Sequence, residues 1–243
     1  MFIVNGGIPR SGTVLVGELL RSMARRRGHD VRRLNPQERR NLPRLARHIA
    51  EDSATPATLI HTHLIDQPCL DALAARPDAT VFWNHRDPRD ATVSLIRLHD
   101  MTLEQALHSM EIYLDAADLA RRHPGVRQIR YERLVADTPG HITRMAEALG
   151  WSVQDRETEA LVEATSLQRH AGIMQSVRAG TQQDVKTIRT LRREMREDAA
   201  TLINDRHIQS ARPGRWKEEL TGDAQTLVTE RLARWIDAYG YAR

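Results

Sequence analysis

Arg10 stands inside a glycine-rich stretch, Gly6-Gly7-Ile8-Pro9-Arg10-Ser11-Gly12-Thr13, that follows a short apolar run and precedes the apolar helical pattern of Val14, Leu15, Val16 and Leu19. A strand, a glycine loop and a helix start aim successive backbone N–H groups at one point, where the positive end of the helix dipole also favours an anion. The spacing Gly7-x-x-x-x-Gly12 has the frame of a nucleotide P-loop, but Thr13 and Val14 stand where that loop has lysine and Ser/Thr. Without the lysine and the magnesium-binding hydroxyl a triphosphate is poorly held. One phosphate carrying a leaving group, with Arg10 as its cation, is better served. The bland alternative is a glycine-rich strand-to-helix turn with no ligand.

A second cluster, Asn84-His85-Arg86-Asp87-Pro88-Arg89-Asp90 through Ser94, follows the apolar run Thr80 to Trp83. Helix capping accounts for Asp87 at the N-cap, Pro88 at the first helical position and Asp90 near the third. It leaves Arg86, Arg89 and Ser94 unexplained. An arginine fork beside a helix start, with a hydroxyl facing it, suits a second phosphate. His61 and His63 share one strand face by the two-residue period, yet no third ligand lies near them in sequence, so no metal is expected.

These residues carry a resemblance. Pro9-Arg10-Ser11-Gly12-Thr13 and the Arg86 to Ser94 segment resemble the 5′-phosphosulfate loop and the 3′-phosphate motif of sulfotransferases that use 3′-phosphoadenosine 5′-phosphosulfate (PAPS). His61-Thr62-His63-Leu64 is similar to the family's Lys-Thr-His segment. Arg130-Tyr131-Glu132-Arg133-Leu134-Val135-Ala136-Asp137 is similar to its Tyr-Glu-Asp-Leu segment. Thr165-Ser166-Leu167 resembles an adenine-contacting Thr-Ser-Phe, and Pro213-Gly214-Arg215-Trp216-Lys217 resembles the closing Gly-Asp-Trp-Lys. The segments follow in the family's order from residue 2 to residue 240.

The resemblance implies a single sulfotransferase domain over residues 1–243 with PAPS as co-substrate. It makes His63 the general base and Arg10 the cation on the departing phosphate. Arg10, Ser11, Gly12, Thr13 and Val14 would surround the 5′-phosphosulfate, Arg86 and Ser94 would anchor the 3′-phosphate, and Tyr131, Thr165 and Ser166 would lie beside adenine. Three departures stand out: the family's Arg-Lys-Gly corresponds to Gln209-Ser210-Ala211, leaving Arg212 as the candidate lid cation; its adenine-stacking aromatic is Leu15; its lysine two places before the base is His61. The segment from Ser176 to Arg206, between the adenine and closing motifs, is expected to form a helical lid.

In-line sulfuryl transfer from a phosphate oxygen to a hydroxyl or amine needs a base, a cation on the leaving phosphate and anchors for the nucleotide. It demands neither a covalent intermediate nor a metal. An imidazole with an ordinary pKa of about 6.5 accepts a proton near neutrality, and an arginine does not. The expected acceptor is a small molecule or glycan-like. The enzyme alternative, a P-loop kinase of small molecules, is disfavoured by Val14 and the missing Gly-Lys-Ser/Thr.

Such groups must be held at strand ends. Phe2 to Asn5, Thr58 to His61, Thr80 to Trp83 and Arg127 to Tyr131 read as strands. Helical patterns lie at Thr13 to Arg27, Pro43 to Glu51, Asp66 to Ala75, Pro88 to Leu98, Leu103 to Arg122, Ile142 to Leu149 and Asp223 to Tyr239. Alternating strands and helices predict an α/β fold: three α/β/α layers around a mostly parallel sheet, P-loop NTPase-like, with a helical C-terminal lid. The 243 residues, 40% hydrophobic and 28% charged, suit one globular domain. No apolar stretch is long enough to span a membrane, and Gly6, Gly7 and Arg10 come too early for a signal peptide, so a cytoplasmic location is expected. The lone Cys69 excludes an internal disulfide. A net charge of +4 and the arginines between Arg21 and Arg47 raise a nucleic-acid reading. Interleaved Leu34, Leu42, Leu45 and Ile49 instead mark a solvated face over a buried one, and no nucleic-acid partner is expected. The resemblance makes that region a wall of the acceptor site, which would favour a polar or anionic acceptor. Oligomeric state is not encoded in any motif.

Overall fold

Phe2 and Val4 pack on one side of the first strand and Ile3 on the other, each essentially inaccessible, so the sheet they belong to must be covered on both faces. The computed structural model describes residues 1–36, 38–52, 57–189, 194–206 and 212–243. In chain order the elements are β1 (Phe2–Gly7), α1 (Thr13–Arg26), β2 (Val31–Leu34), α2 (Leu42–Glu51), β3 (Ala57–Thr62), α3 (Gln67–Ala74), β4 (Ala79–His85), α4 (Pro88–His99), α5 (Leu103–Arg122) and β5 (Val126–Arg130). There follow α6 (Tyr131–Ala136), α7 (Thr138–Ala148), α8 (Asp155–Ala164), α9 (Leu167–Ala179), β6 (Val185–Arg189), β7 (Glu194–Asp198), α10 (Trp216–Glu219), α11 (Gly222–Arg231) and α12 (Ala233–Ala238).

The five-stranded sheet runs β2-β3-β1-β4-β5, with every pairing parallel. On one face α1 and α7 bury Val16, Leu19, Leu20 and Met145 against Ile3, Leu59 and Phe82. On the other, Leu45, Ile49, Leu107 and Trp235 close over Phe2, Val4, Ile60 and Trp83. Gly6 pairs with Thr62 on one side and Trp83 on the other, and Gly7 pairs with Asn84. The loops after β1, β3 and β4 therefore end level. The chain leaves β1 for β2 and β3 on one flank and then crosses to β4 on the other, which opens a crevice beyond the carboxyl end of β1. Glycine is obligatory at position 6, because a Cβ there would lie 2.3 Å from the ring of buried Trp83.

The three-layer α/β/α architecture is the expected one, with four differences of detail. The edge strand β2, only Val-Arg-Arg-Leu, carries too little apolar alternation to be read as a strand. Tyr131 opens α6 instead of closing β5. The last helix breaks at Leu232 into α11 and α12. The helical lid expected over 176–206 is corrected: α9 ends at Ala179, and β6 and β7 form a two-stranded antiparallel ribbon. In β7 Met195 and Glu197 are buried between exposed Glu194 and Arg196, the two-residue period of a strand. Among the described residues, no helix is long and apolar enough to cross a membrane.

Candidate active site

The turn after β1 is fastened from inside. Ser11, wholly buried, shares its hydroxyl proton between the carbonyls of Ile8 (2.6 Å) and Asn84 (3.2 Å), and its N–H donates to Ile8 O at 3.3 Å. The expectation that Ser11 faces a ligand is corrected: the tight turn leaves two buried carbonyls that its hydroxyl satisfies. Gly12 takes a left-handed φ of 86°, and a Cβ there would come within 2.8 Å of the Tyr131 ring. No side chain caps α1, so its first-turn N–H groups at Thr13, Val14 and Leu15 have no acceptor inside the helix or from a capping side chain. Those residues line a cavity of about 890 Å³.

Arg10 also sits in the left-handed region, at φ 68°, a conformation that costs a residue with a side chain about 1 kcal/mol. It turns the guanidinium toward α4, where Nε donates to Ser94 Oγ at 2.8 Å. Arg86 reaches the same spot from the end of β4. Its Nη1 donates to Arg10 O (3.4 Å), its Nη2 to Arg212 O (3.3 Å) and to Asp90 (3.4 Å), and it lies over the Tyr131 ring at 4.5 Å. Its Nε is buried with no partner among the described residues. Burial and then repulsion from Arg86 pull Arg10 down to about 10, with Arg215 adding a weaker push in the same sense. Two adjacent guanidiniums and an unspent Arg86 N–H make this end of the cavity receptive to an anion.

Asp90, fully buried, does not cap its own helix. It accepts from Gly214 N (2.7 Å) and Trp216 N (3.0 Å) and so caps α10, while also pairing with Arg86. Arg89 is structural too: it pairs with Asp87 at 2.7 Å, lies over Trp216 at 4.0 Å and donates to Ala242 O. Asp87 is the N-cap of α4, as expected, accepting from Arg89 N. Asp90→Ala is expected to cost about 3 kcal/mol of stability, because it strands the buried N–H of Trp216, the half-buried N–H of Gly214 and a buried guanidinium. A lowered urea midpoint at unchanged m-value checks this, and a loss under 1 kcal/mol would contradict the clamp. Arg212 is a correction. Its guanidinium is 62% exposed on Glu218, outside the cavity, and only its carbonyl reaches the site, by accepting from Arg86. The residues matched to the family's Arg-Lys-Gly, 209–211, lie outside the described residues.

Beyond β3, half-buried His63 is held by its Nδ1–H, which donates to Gly7 O at 2.8 Å, leaving the Nε2 lone pair without a partner among the described residues. The Tyr113 ring packs on it edge-on, with centroids 6.0 Å apart. Burial pulls His63 down to about 4, against the opposing Gly7 contact and with help from Arg10. Burial likewise holds His61 and His85 at about 3. All three rings are neutral at pH 7. Their folded pKa values lie below the unfolded value near 6.5, so the unfolded chain binds the extra protons: stability is full above about pH 6.5 and is lost as pH falls toward 3 to 4. Unfolding free energies from urea titrations are expected to fall steadily between pH 6.5 and pH 5, by roughly 1 kcal/mol per pH unit for each imidazole. A flat profile there would contradict buried neutral rings.

Thr165 and Ser166 line the cavity, though each also serves its helix: Thr165 Oγ1 donates to Leu161 O (2.8 Å), and Ser166 Oγ accepts from Arg169 N (3.2 Å) as the cap of α9. The β6–β7 ribbon roofs the opposite half with Lys186, Ile188, Met195 and Glu197. Arg33 ties that roof to β2 by donating to the carbonyls of Ala199 (3.4 Å) and Ala200 (2.8 Å). Arg39, Arg40, Arg44 and Arg47 stay exposed while Leu42, Leu45 and Ile49 fill the core, the solvated face the sequence suggests.

Residues 2–239 match the sulfotransferase domain family. The chain belongs to the sulfotransferase family. A mouse sulfotransferase complexed with PAP has the same fold at TM-score 0.65 and 14% identity, covering 97% of this chain and 83% of that one. Retinol dehydratase does so in two complexes: with androsterone and inactive cofactor PAP (TM-score 0.62, 15% identity, 97% and 80% covered), and with retinol and PAP (0.63, 16%, 97% and 81%). No curated protein matches by sequence. The family match sets the P-loop kinase aside. In this sulfotransferase the structure brings His63, Arg10, Gly12, Thr13, Val14, Arg86, Ser94, Tyr131, Thr165 and Ser166 to one cavity. Sequence reasoning passed over Tyr113 and the ribbon residues, whose only signals were a helix-face aromatic and a short alternation.

Proposed function

We propose that this sulfotransferase uses PAPS and passes its sulfuryl group in line to a hydroxyl or amine of a small molecule, with residues 1–243 acting as one domain and His63 as base. The observation that carries the reading is the meeting, in one cavity, of a neutral imidazole whose Nε2 is fixed as an acceptor with two adjacent arginines, Arg10 and Arg86, one of which keeps a buried N–H unspent. The cradle fits the donor. Open N–H groups at Thr13 and Val14 with Arg10 suit a 5′-phosphate, and the idle Arg86 Nε, in the cavity that Ser94 also lines, suits a 3′-phosphate. Structural neighbours carry PAP, and one carries the small molecule androsterone. Tyr131, Thr165 and Ser166 would flank adenine, and the ribbon would cover the acceptor.

PAPS supplies an electrophilic sulfuryl group on a phosphate leaving group. His63 Nε2 takes the acceptor's proton as its oxygen or nitrogen bonds to sulfur, and the Nδ1–H contact to Gly7 keeps the ring oriented and stabilises its protonated form. Arg10 neutralises charge growing on the departing phosphate, already positioned by Ser94. A cytoplasmic location belongs to this reading and accords with Cys69, a buried thiol pushed up to about 12 and so unreactive. Calorimetric titration with 3′,5′-adenosine bisphosphate (PAP, the desulfated product) in EDTA, beside Mg²⁺-ATP, tests the donor assignment. Metal-independent binding of the bisphosphate supports it; binding of Mg²⁺-ATP alone overturns it.

A further inference from the structure

Three buried polar side chains on adjacent strands, Asn84 on β4, Asn5 on β1 and His61 on β3, form a chain beneath the glycine loop. Asn84 Nδ2 lies 2.7 Å from Gly6 O, which can only accept, so this atom is the amide nitrogen. It also lies 2.8 Å from Asn5, whose facing atom must then be the acceptor Oδ1. That turns Asn5 Nδ2 toward Thr13 O, again an obligate acceptor, at 2.7 Å, and toward His61 Nδ1 at 3.3 Å. His61 Nδ1 is therefore a lone pair, and its proton sits on Nε2. No described residue accepts that proton, and the ring lines the same cavity as Arg10 and His63. His63 has the opposite tautomer, since its Nδ1–H is spent on Gly7 O. Two imidazoles with centroids 5.4 Å apart, crossed at 79°, thus offer unlike Nε2 atoms: a donor at His61 and an acceptor at His63.

We propose that His61 is a second working imidazole, a neutral donor whose Nε2–H binds an anionic oxygen on the 5′ side of the sulfuryl donor while His63 Nε2 takes the acceptor's proton. The inference rests on the sulfuryl-transfer reading above. Burial, aided by His63 and Arg33, holds His61 down to about 3, so the ring stays an uncharged donor across the neutral range. Asn5 and Asn84 are positioning residues, and through Gly6 and Thr13 they tie the tautomer to the loop that cradles the phosphate.

The test is a two-bond ¹H–¹⁵N imidazole spectrum of the ¹⁵N-labelled full-length enzyme at pH 7, with and without saturating PAP. His61→Gln and His63→Gln serve to assign the rings. The expected result is Nε2–H at His61, Nδ1–H at His63, and a shift of the His61 signals on PAP addition. In kinetics, His61→Leu is expected to lower kcat by about 100-fold with the calorimetric Kd for PAP changed less than 10-fold, and His61→Gln, which keeps an N–H donor, to recover most of the rate. Should either assignment variant fail to fold, sequential backbone-to-ring correlations in the wild-type protein assign the two rings instead. An Nδ1–H tautomer at His61, signals indifferent to PAP in a protein that binds PAP, or a His61→Leu enzyme with unchanged kcat overturns this role and leaves the donor reading standing. No PAP binding by the wild-type enzyme overturns both.

Discussion

His63→Ala is expected to lower kcat by about 10²- to 10⁴-fold while PAP binding by calorimetry stays within a few-fold of wild type. The ring touches the loop through one hydrogen bond to Gly7 O, and its other neighbours are the rings of His61 and Tyr113, so its removal takes away the proton acceptor without dismantling the phosphate cradle. The pH profile separates a base from a bystander. The catalytically competent form is the neutral ring, and the folded pKa is drawn down to about 4, so kcat/KM should stay flat from neutrality to about pH 5 and fall only below it. An unshifted histidine would already have lost half its activity near pH 6.5. A His63→Ala enzyme of normal kcat, or a half-loss at pH 6.5 in wild type, would remove His63 from the role of base.

Arg86→Ala is expected to weaken PAP binding by about 10²-fold, roughly 3 kcal/mol, the scale of charge-assisted bonds made by a buried guanidinium. The informative quantity is the ratio of affinities for PAP and for adenosine 5′-monophosphate, which lacks the 3′-phosphate. Arg86 also donates to Arg10 O, so some loss toward both ligands follows from a slackened loop. The 3′-specific part shows as a collapse of the ratio. Arg86→Lys should lie between, since an ammonium restores charge but not the planar fork over Tyr131. Equal losses toward both ligands would make Arg86 a loop brace and not a phosphate anchor.

The parts of this site that could be read in advance are those whose chemistry is local. Glycines bracketing Arg10, Asp87-Pro88 opening α4 and Ser166 before α9 each announce a turn or a helix start within a few residues. What escaped depends on partners far along the chain. Asp90 looks like a cap for its own helix, but its acceptors are claimed by backbone N–H groups of Gly214 and Trp216. The hydroxyl of Ser11 turns inward because Asn84 O arrives from β4. Arg212 looks available until Glu218 takes it. The donor tautomer of His61 is set across β1, β3 and β4, a relation with no linear pattern at all. The ribbon was misjudged because its two strands are short and each reads as polar when taken singly.

That ribbon divides the labour of the cavity. The phosphate cradle is built on sheet ends and helix starts, locked into the core through Asn5, Ser11 and Asp90. The roof is held chiefly from outside, by Arg33 on Ala199 and Ala200 and by Arg178 on Asp205 O at 2.6 Å. Cradle and roof therefore hang on separate fastenings, so a change in the fastenings of one leaves the hydrogen bonds that shape the other in place.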